Sequence, residues 1–346
     1  MGEAAYLLHR GDVRDAYSNW PEPAVIISDG AYGVRGFHGD TTSADGLVEW
    51  YRPHVEAWSR YATPATTLWF WNTEVGWATL HPLLSANGWD YIQAVTWDKG
   101  IQHIAGNVNG KTIRRFPVVS ETCVLYQRRF EVVGPDGPMP AQKWLRHEWQ
   151  RAGLKLNRAN EACGVRNAAT RKYLTQDWLW YWPPGEMMER LASYANEHGK
   201  DSGWPYYSLN GKSAITAKEW DALRHKWRHA HGLTNVWQLP PLHGAERIKG
   251  TLRRAAPRVY NPSSLSAAHL NQKPLLFMHR ILDAVTDAGD VVWEPFGGLA
   301  SASVAAVEGG RFPCAAEIDH DFAEIAAQRL DDAVAGRDPE VEDTTI

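Results

Sequence analysis

A glycine-rich turn near the end of the chain has the residue types of a cofactor site. An apolar run at 291–293 is followed by Glu294-Pro295-Phe296-Gly297-Gly298 and then by a segment with helical spacing. Glycines directly after a strand let a ligand approach the backbone closely, and the next helix offers N–H groups at its N-terminal end. Glu317 stands about 20 residues after Gly298, where an acidic side chain can accept hydrogen bonds from ribose hydroxyls. The pattern predicts a site for an adenosine-containing cofactor, and a plain strand-to-helix turn with a surface glutamate is the alternative.

Alternating strands and helices must position these residues. The predicted strands are 24–28, 67–71, 92–97, 122–126, 291–293 and 312–316, and the predicted helices are 75–86, 274–288 and a segment through 303–306. The run 24–28 ends abruptly at Asp29-Gly30-Ala31-Tyr32, which is typical of a buried parallel strand whose carboxyl end opens into a loop. The alternation predicts a doubly wound α/β sheet.

Composition limits the class of protein. The chain has 346 residues, of which 44% are hydrophobic and 22% charged, enough for one large domain and a smaller one. It contains no apolar run of about 18 residues and no charged-then-apolar start, so a soluble, cytoplasmic protein without a membrane anchor is expected. Three widely spaced cysteines, Cys123, Cys163 and Cys314, match no metal-ligand spacing. They predict buried thiols in a reducing compartment and no metal site.

The middle of the chain differs from its ends in charge and predicted structure. After a turn-rich stretch at 133–138, helices are predicted at 141–152, 158–163, 167–174 and 186–198. Residues 142–258 hold 20 Lys and Arg against 10 Asp and Glu, although the whole chain has a net charge of −4. The two short helices around 164–166 suggest a helix-turn-helix, and localised basic charge is typical of a nucleic-acid-binding surface. The charged face of an ordinary helical insert is the alternative.

Six short motifs, taken in order, resemble those of the DNA amino-methyltransferases. They are Gly11-Asp12, Asp29-Gly30-Ala31-Tyr32, Trp97-Asp98-Lys99, His269-Leu270-Asn271-Gln272-Lys273-Pro274, Glu294-Pro295-Phe296-Gly297-Gly298 and Glu317-Ile318-Asp319. The family's counterparts read GD, DPPY, WDK, HPTQKP, DPFxGSGT and EID. A catalytic motif near the N-terminus with cofactor motifs near the C-terminus is the order of the circularly permuted β group. The resemblance covers about 1–130 and 235–335.

The resemblance implies a Rossmann-like class I methyltransferase sheet with an inserted, mainly helical target-recognition domain. Residues 1–132 would form the catalytic part, 133–258 the DNA-binding insert, 259–335 the cofactor-binding part and 336–346 an acidic tail. The chain departs from the family pattern at four places. Gly30 and Ala31 replace the two prolines of DPPY, and Leu270 replaces the proline of HPTQKP. Glu294 replaces the aspartate of DPFxGSGT, and residues 299–301 replace its SGT. They leave open a catalytically inactive relative.

The same resemblance implies roles for individual residues. S-adenosylmethionine would be the cofactor, with Glu317 on the ribose, Asp12 facing the adenine ring and Lys273 near the methionine end. The full cofactor set is Asp12, Asp29, Lys273, Glu294, Phe296, Gly297, Gly298 and Glu317. Asp29, Gly30 and Tyr32 would be catalytic. The Asp29 carboxylate and the Gly30 carbonyl would accept the two N–H bonds of an exocyclic amino group, and Tyr32 would stack on the flipped base.

Several alternatives stay open. Asp29 in the first motif position favours N6 of adenine, whereas Ser28 directly before it keeps N4 of cytosine open. A protein that binds DNA without chemistry, and a methyltransferase for RNA or a small molecule, are further alternatives. Arg166, Asn167, Arg171 and Lys172 are the candidate DNA-reading residues. Double-stranded DNA is the expected partner, and the resemblance also leaves room for a cognate restriction endonuclease and a homodimer.

Overall fold

Two compact units make up the chain. The computed structural model describes residues 5–33, 43–101, 103, 111–134, 137–242, 246–250, 266–267 and 271–336. The sheet unit comprises Met1–Arg128 and His225–Ile346, and the helical unit comprises Arg129–Arg224. The His269-Leu270 pair, residues 251–258 of the predicted insert and the predicted tail beyond Gly336 lie outside the described residues.

Every strand and helix predicted from the sequence is present among the described elements, together with others that were not predicted. The strands are β1 (Leu7–Arg10), β2 (Val25–Ser28), β3 (Thr67–Asn72), β4 (Trp89–Asp98), β5 (Ser120–Arg128), β6 (Glu131–Gly134), β7 (Gly137–Pro140), β8 (Val236–Gln238), β9 (Lys249–Gly250), β10 (Ser266–Ala267), β11 (Val291–Glu294) and β12 (Phe312–Glu317). The helices are α1 (Leu47–Tyr61), α2 (Glu74–Ala86), α3 (Ala141–Arg151), α4 (Arg158–Ala162), α5 (Ala169–Tyr173), α6 (Gly185–His198), α7 (Ala217–Asp221), α8 (Leu275–Val285), α9 (Ser301–Glu308) and α10 (His320–Val334). Among the described helices, none has both the length and the hydropathy needed to span a bilayer.

An eight-stranded sheet forms the centre of the sheet unit. Its strand order is β1-β12-β11-β2-β3-β5-β4-β8, and β5 runs antiparallel to both of its neighbours. Helices cover both faces of the sheet. Successive side chains of a strand point to opposite faces, so buried side chains occur on both. On β3, Leu68 and Phe70 pack with α1 and α2, whereas Trp69 and Trp71 pack with α8 and α9. The predicted doubly wound α/β sheet is therefore confirmed.

One edge of this sheet collects polar residues from many strands. The carboxyl ends of β1, β12, β11, β2 and β3 lie at the same edge, because these strands are mutually parallel. The antiparallel strand β5 begins at this edge, where Glu121 pairs with Trp97 near the end of β4. Ligands of open α/β sheets bind at the carboxyl ends of the strands, so this edge is the place to search for a site.

The helical unit is shorter than the insert predicted from the sequence. The prediction ended the insert at residue 258, whereas the helical unit ends at Arg224. The reason is β8, which pairs in parallel with the end of β4 and so makes this part of the chain a strand of the main sheet. Much of the basic charge lies beyond the helical unit, which holds 14 Lys and Arg against 11 Asp and Glu.

Tryptophan and tyrosine side chains form the core of the helical unit. Trp144 and Trp182 stack on the fully buried Trp220, whose indole N–H donates to the Pro183 carbonyl. The chain enters α3 through the hairpin of β6 and β7, where the sequence predicted only a turn-rich linker. Large indole rings bury much apolar area in a small domain, which accounts for their number in this segment.

Candidate active site

A cavity of about 450 Å³ opens at the carboxyl edge of the sheet. Its volume lies within the ~300–1,000 Å³ of small-molecule sites. All the residues predicted to be catalytic or cofactor-binding line it: Asp12, Asp29, Gly30, Tyr32, Lys273, Glu294, Phe296, Gly297, Gly298 and Glu317. The structure thus brings together residues from both ends of the chain.

Asp29, at the end of β2, is held by two neighbours. The Lys273 ammonium donates to both carboxylate oxygens, at 2.8 and 2.9 Å. The Tyr32 hydroxyl donates to Oδ1 at 2.7 Å. The Lys273 side chain is only 4% exposed, whereas Asp29 keeps 22% of its side chain accessible. The carboxylate is therefore fixed in orientation and still faces the cavity.

A second carboxylate, Glu121, shares these partners and was missed from the sequence. Its Oε1 accepts from the Tyr32 hydroxyl at 2.9 Å and lies 3.2 Å from the Lys273 ammonium. Its Oε2 lies 2.8 Å from the Lys99 ammonium. Glu121 opens an antiparallel strand and follows no glycine turn, so no local pattern marked it. The Trp97-Asp98-Lys99 motif was the one available signal, since Lys99 is its partner.

The charges of this cluster shift the titration of its members. Burial alone would raise the pKa of Glu121, but the positive charges of Lys273 and Lys99 lower it to about 2. Burial alone would lower the pKa of Lys273, but Asp29 and Glu121 raise it above its usual value. Burial, together with the two carboxylates, raises the pKa of the Tyr32 hydroxyl well above its usual value. At neutral pH Glu121 is thus ionised, Lys273 charged and Tyr32 a hydrogen-bond donor.

The backbone after Asp29 is shaped by close packing. A Cβ at Gly30 would lie 2.6 Å from the ring of Phe296 and 2.7 Å from the Tyr51 hydroxyl, so no side chain fits there. The next carbonyl, that of Ala31, accepts from the Tyr51 hydroxyl and the Asn72 amide. Gly30 itself lines the cavity, so its carbonyl is a candidate acceptor there.

The glycine turn after β11 brings backbone N–H groups to the carboxylate at the end of β12. The Gly298 N–H donates to Glu317 Oε2 at 2.7 Å, and the Asp319 N–H donates to Oε1 at 2.8 Å. A Cβ at Gly297 would approach the Ala316 carbonyl to 3.1 Å. Burial raises the pKa of Glu317, and the two backbone N–H groups oppose this shift. Each carboxylate oxygen keeps a second acceptor position for a ligand hydroxyl.

Glu294 contacts the helix after the turn. Its carboxylate accepts from the Ala302 and Ser303 N–H groups at 3.0 and 2.7 Å and from the Ser303 hydroxyl. It thereby satisfies the first turn of α9, whose own N-cap residue, Ala300, makes no side-chain cap and has a left-handed φ of 56°. Burial raises the pKa of Glu294 to about 7. The carboxylate orients α9 beneath the cavity.

Replacing Glu294 with Ala is expected to lower the free energy of unfolding by about 2 kcal/mol, because two buried N–H groups and a hydroxyl lose their acceptor. Urea denaturation at pH 7 measures this. The control is Glu308→Ala at the other end of α9, a partly exposed residue paired with His279, which we expect to change stability by less than about 0.5 kcal/mol. Equal losses in the two variants would contradict a capping role.

The opposite wall of the cavity combines an ion pair with aromatic rings. Asp12 is paired with Arg14, whose hydrogen bonds lower the pKa of the carboxyl. The Phe296 ring lies 5.0 Å from Trp50 and 4.9 Å from His54, measured between centroids. Burial lowers the pKa of His54 to about 4, so this ring is neutral at pH 7. The sequence did not identify Trp50 or His54, since α1 shows only ordinary amphipathic spacing.

The four candidate DNA-reading residues lie in the helical unit, and all are exposed. The predicted helix 167–174 is shorter in the structure: only Arg171 and Lys172 belong to α5, and Arg166 and Asn167 lie in the bend before it. The Thr170 N–H, in the first turn of α5, donates to the Asn160 side chain at 3.1 Å. Two aromatic side chains of the following turn are also exposed, Trp178 by 88% and Tyr181 by 62%, and the Lys172 ammonium lies 5.6 Å from the Tyr181 ring.

Three solved structures are similar to this chain. The crystal structure of the M1.HpyAVI–SAM complex is 13% identical, with a TM-score of 0.50 over 94% of this chain and 98% of that one. The Thermus thermophilus protein TTHA0409, a putative DNA modification methylase complexed with S-adenosyl-L-methionine, is 14% identical, with a TM-score of 0.46 over 96% and 97%. PvuII DNA methyltransferase (cytosine-N4-specific) is 12% identical, with a TM-score of 0.48 over 96% and 95%.

At 13% identity, the likeness to M1.HpyAVI concerns the fold, a Rossmann-like methyltransferase sheet. The family itself is shown by a match to a sequence-family model. The model described as DNA methylase (N6_N4_Mtase) matches residues 23–328, which include Asp29, the helical unit and the glycine turn. Because this match spans most of the chain, the protein belongs to the N6/N4 DNA methylase family.

Proposed function

We propose that the protein transfers a methyl group from S-adenosylmethionine to the exocyclic amino group of a base flipped out of duplex DNA, with N6 of adenine favoured. One observation carries the proposal: Asp29, whose carboxylate is fixed by Lys273 and Tyr32, and Gly30 line the same cavity as the glycine turn and Glu317. The two N–H bonds of an amino group need two acceptors, which the Asp29 carboxylate and the Gly30 carbonyl would supply. The adenosine of the cofactor needs the glycine turn for close approach and the Glu317 carboxylate for its ribose hydroxyls.

The residues at the glycine turn fit S-adenosylmethionine. Gly297 and Gly298 line the cavity with their backbone, and Glu317 has acceptor positions for two ribose hydroxyls. The Phe296 ring offers an apolar surface to the adenine, with Asp12 nearby as an acceptor. When bound, S-adenosylmethionine supplies an electrophilic methyl group on a positively charged sulfur.

The chain's own residues position the amino nitrogen. Its lone pair is conjugated with the ring, so the nitrogen is a poor nucleophile until it becomes pyramidal. N–H bonds to Asp29 and to the Gly30 carbonyl favour that geometry by positioning and electrostatics, without covalent catalysis. The methylated nitrogen then releases one proton, and Asp29 is the adjacent carboxylate that can accept it. Lys273 and Tyr32 hold Asp29 in place throughout.

The position of Ser28 supports adenine over cytosine. A serine in the first motif position would favour cytosine N4, but Ser28 is fully buried and does not line the cavity. Asp29 is the residue that reaches the cavity wall. The family model covers both N6 and N4 methylases, so the experiment below decides between the two bases.

The strand order supports membership of the circularly permuted β group. Strands β11 and β12 come last in the sequence, but they lie between β1 and β2 in the sheet. The proposed cofactor turn thus follows the proposed catalytic loop in the chain and stands beside it in the fold.

The close packing at Gly30 supports this residue as a working variant of the family's proline, because the Phe296 ring and the Tyr51 hydroxyl fill the space around it.

The proposal is tested by expressing the protein in a host without DNA methyltransferases and mapping modified bases across the genome. We expect N6-methyladenine at one recurring sequence. N4-methylcytosine would correct the base, and an unmodified genome together with DNA binding in vitro would favour a binding protein without chemistry. The same map defines the recognised sequence.

For the helical unit we propose duplex DNA as the partner. Arg166, Asn167, Arg171 and Lys172 are all exposed, and arginine and asparagine side chains can pair with base edges in the major groove. Arginine and lysine side chains in this setting also contact phosphates, which makes the affinity dependent on salt.

The double variant Arg171→Ala/Lys172→Ala is expected to weaken binding to duplex DNA and to reduce the slope of log K against log salt by about 2, if each side chain neutralises one phosphate. Fluorescence anisotropy with a labelled duplex at several salt concentrations measures both quantities. Lys212→Ala/Lys218→Ala removes the same charge from α7 and the loop before it. An equal loss in this control would show a general charge effect and would contradict a specific surface at α5.

A further inference from the structure

We propose that Glu121 is a positioning residue for the transfer reaction: together with Lys99 it holds Lys273 between two carboxylates, so that Asp29 stays available to the target amino group. The inference rests on the proposed function and assigns roles to two residues outside the catalytic motif. Glu121 would touch neither the base nor the cofactor and would act through Lys273 and Tyr32.

Asp29 and Glu121 share two partners, the Tyr32 hydroxyl and the Lys273 ammonium. The Tyr32 hydroxyl lies 2.7 Å from Asp29 Oδ1 and 2.9 Å from Glu121 Oε1. The Lys273 ammonium lies 2.8 Å from Asp29 Oδ1 and 3.2 Å from Glu121 Oε1. An ammonium has three donors, so Lys273 can keep its bond to Glu121 while one Asp29 oxygen turns to an incoming N–H. Glu121 therefore supplies the second anchor that this exchange requires.

The charges of the cluster balance. Asp29 and Glu121 carry two negative charges, and Lys99 and Lys273 carry two positive charges. Glu121 and Lys273 are nearly buried, with side chains 12% and 4% exposed, so an uncompensated charge is costly here. If Glu121 lost its charge, Asp29 would be the one carboxylate left to Lys273, which would hold both Asp29 oxygens more firmly. The amino group of the base would then compete poorly for them.

The placement of Glu121 and Lys99 gives the cluster a rigid frame. Glu121 lies on β5 opposite Trp97 of β4, and the Lys99 ammonium lies 4.4 Å from the Trp97 ring. Glu121 is thus fixed by paired strands of the sheet, and Lys99, the residue directly after β4, is fixed by a cation–π contact. Side chains on paired strands hold a site more precisely than side chains on loops. The pair can therefore set the position of Lys273, which comes from the distant segment before α8.

The experiment compares Glu121→Gln, Lys99→Met and the double variant Lys99→Met/Glu121→Gln. Single-turnover methyl transfer is followed from tritiated S-adenosylmethionine to unmethylated genomic DNA, which separates chemistry from product release. Calorimetry gives the Kd for S-adenosylmethionine, and thermal unfolding gives Tm. Asp283→Asn is the control, because Asp283 is an exposed carboxylate paired with Arg311 away from the cavity residues.

For Glu121→Gln we expect the transfer rate to fall at least about tenfold, as a misplaced reacting group costs up to about a hundredfold. The Kd for S-adenosylmethionine should change less than about threefold. The double variant restores a balanced charge, so its rate should recover toward that of the parent. This rescue separates charge balance from simple packing, because a structural role predicts that the double variant is worse than either single one.

Three results would overturn the proposal. An unchanged rate for Glu121→Gln removes Glu121 from the mechanism while the proposed function stands. A double variant slower than Glu121→Gln, with a matching fall in Tm, leaves Glu121 only a structural role. A parent protein that binds S-adenosylmethionine but methylates no DNA refutes the proposed function, and the role of Glu121 falls with it.

Discussion

Replacing Asp29 with Asn is expected to lower the single-turnover rate of methyl transfer at least about a hundredfold. The amide is nearly the same size as the carboxylate, but it loses one acceptor oxygen and points N–H bonds at the amino group that Asp29 would hold. The Kd for S-adenosylmethionine should stay within about threefold, because the glycine turn and Glu317 are unchanged. Tritium transfer to unmethylated genomic DNA measures the rate, and calorimetry measures the Kd.

Two controls make this result specific. Asp283→Asn carries the same chemical change on the surface and should transfer at the parent rate. Asp29→Ala should be as inactive as Asp29→Asn, and thermal unfolding must show that both are folded, because each leaves Lys273 with Glu121 as its remaining carboxylate. Parent-like transfer by a folded Asp29 variant would remove this residue from the mechanism.

The sheet could be predicted because its strands carry local signals. The strand at 24–28 is a short apolar run with an abrupt polar end, and the structure places β2 at Val25–Ser28. The glycine turn after β11 was equally visible, since its function requires glycines next to each other in the sequence. Elements whose burial pattern is local can thus be read from the chain, whatever the order in which the sheet arranges them.

The partners of Asp29 could be predicted only in part, because tertiary structure brings them together. Lys273 was found through a motif, but its contact with Asp29 joins residues 244 positions apart. Glu121 carries no motif and reaches the site because β5 runs antiparallel and therefore starts at the edge where β3 ends. Apart from its partner Lys99 in the Trp97-Asp98-Lys99 motif, the sequence contains no signal for such a pairing.

The end of the insert was misplaced for a related reason. Basic composition continues past Arg224 to residue 258, so charge alone gave no boundary. The short strand β8 carries only three residues, and its central Trp237 is buried while its neighbours are exposed. A strand of this length becomes recognisable through its pairing with β4, which lies far away in the sequence.

Replacing Lys273 with Met is expected to lower the free energy of unfolding at pH 7 by about 3–5 kcal/mol, because two carboxylates lose the ammonium they share in a nearly buried site. Urea denaturation measures the loss. Lys226→Met is the matched control: this ammonium also bridges two carboxylates, Asp287 and Asp290, but it is 44% exposed and should contribute no more than about 1 kcal/mol. Similar losses in the two variants would show that burial of the Lys273 ion pairs adds nothing to their contribution to stability.

The pH dependence of stability should separate the parent from Lys273→Met. In the parent, the pKa of Glu121 is about 2, below its usual value of 4.5, so its contribution is complete above about pH 4.5 and is lost as the pH falls toward 2. In Lys273→Met, Glu121 loses the largest of the charges that lower its pKa, and burial together with the neighbouring Asp29 carboxylate raises this pKa above the unfolded value. Protonation then favours the folded state, so this variant should regain stability between pH 7 and pH 5, where the parent gains nothing from Glu121. A loss that stays constant across this range would show that Lys273 acts through packing and not through its charge.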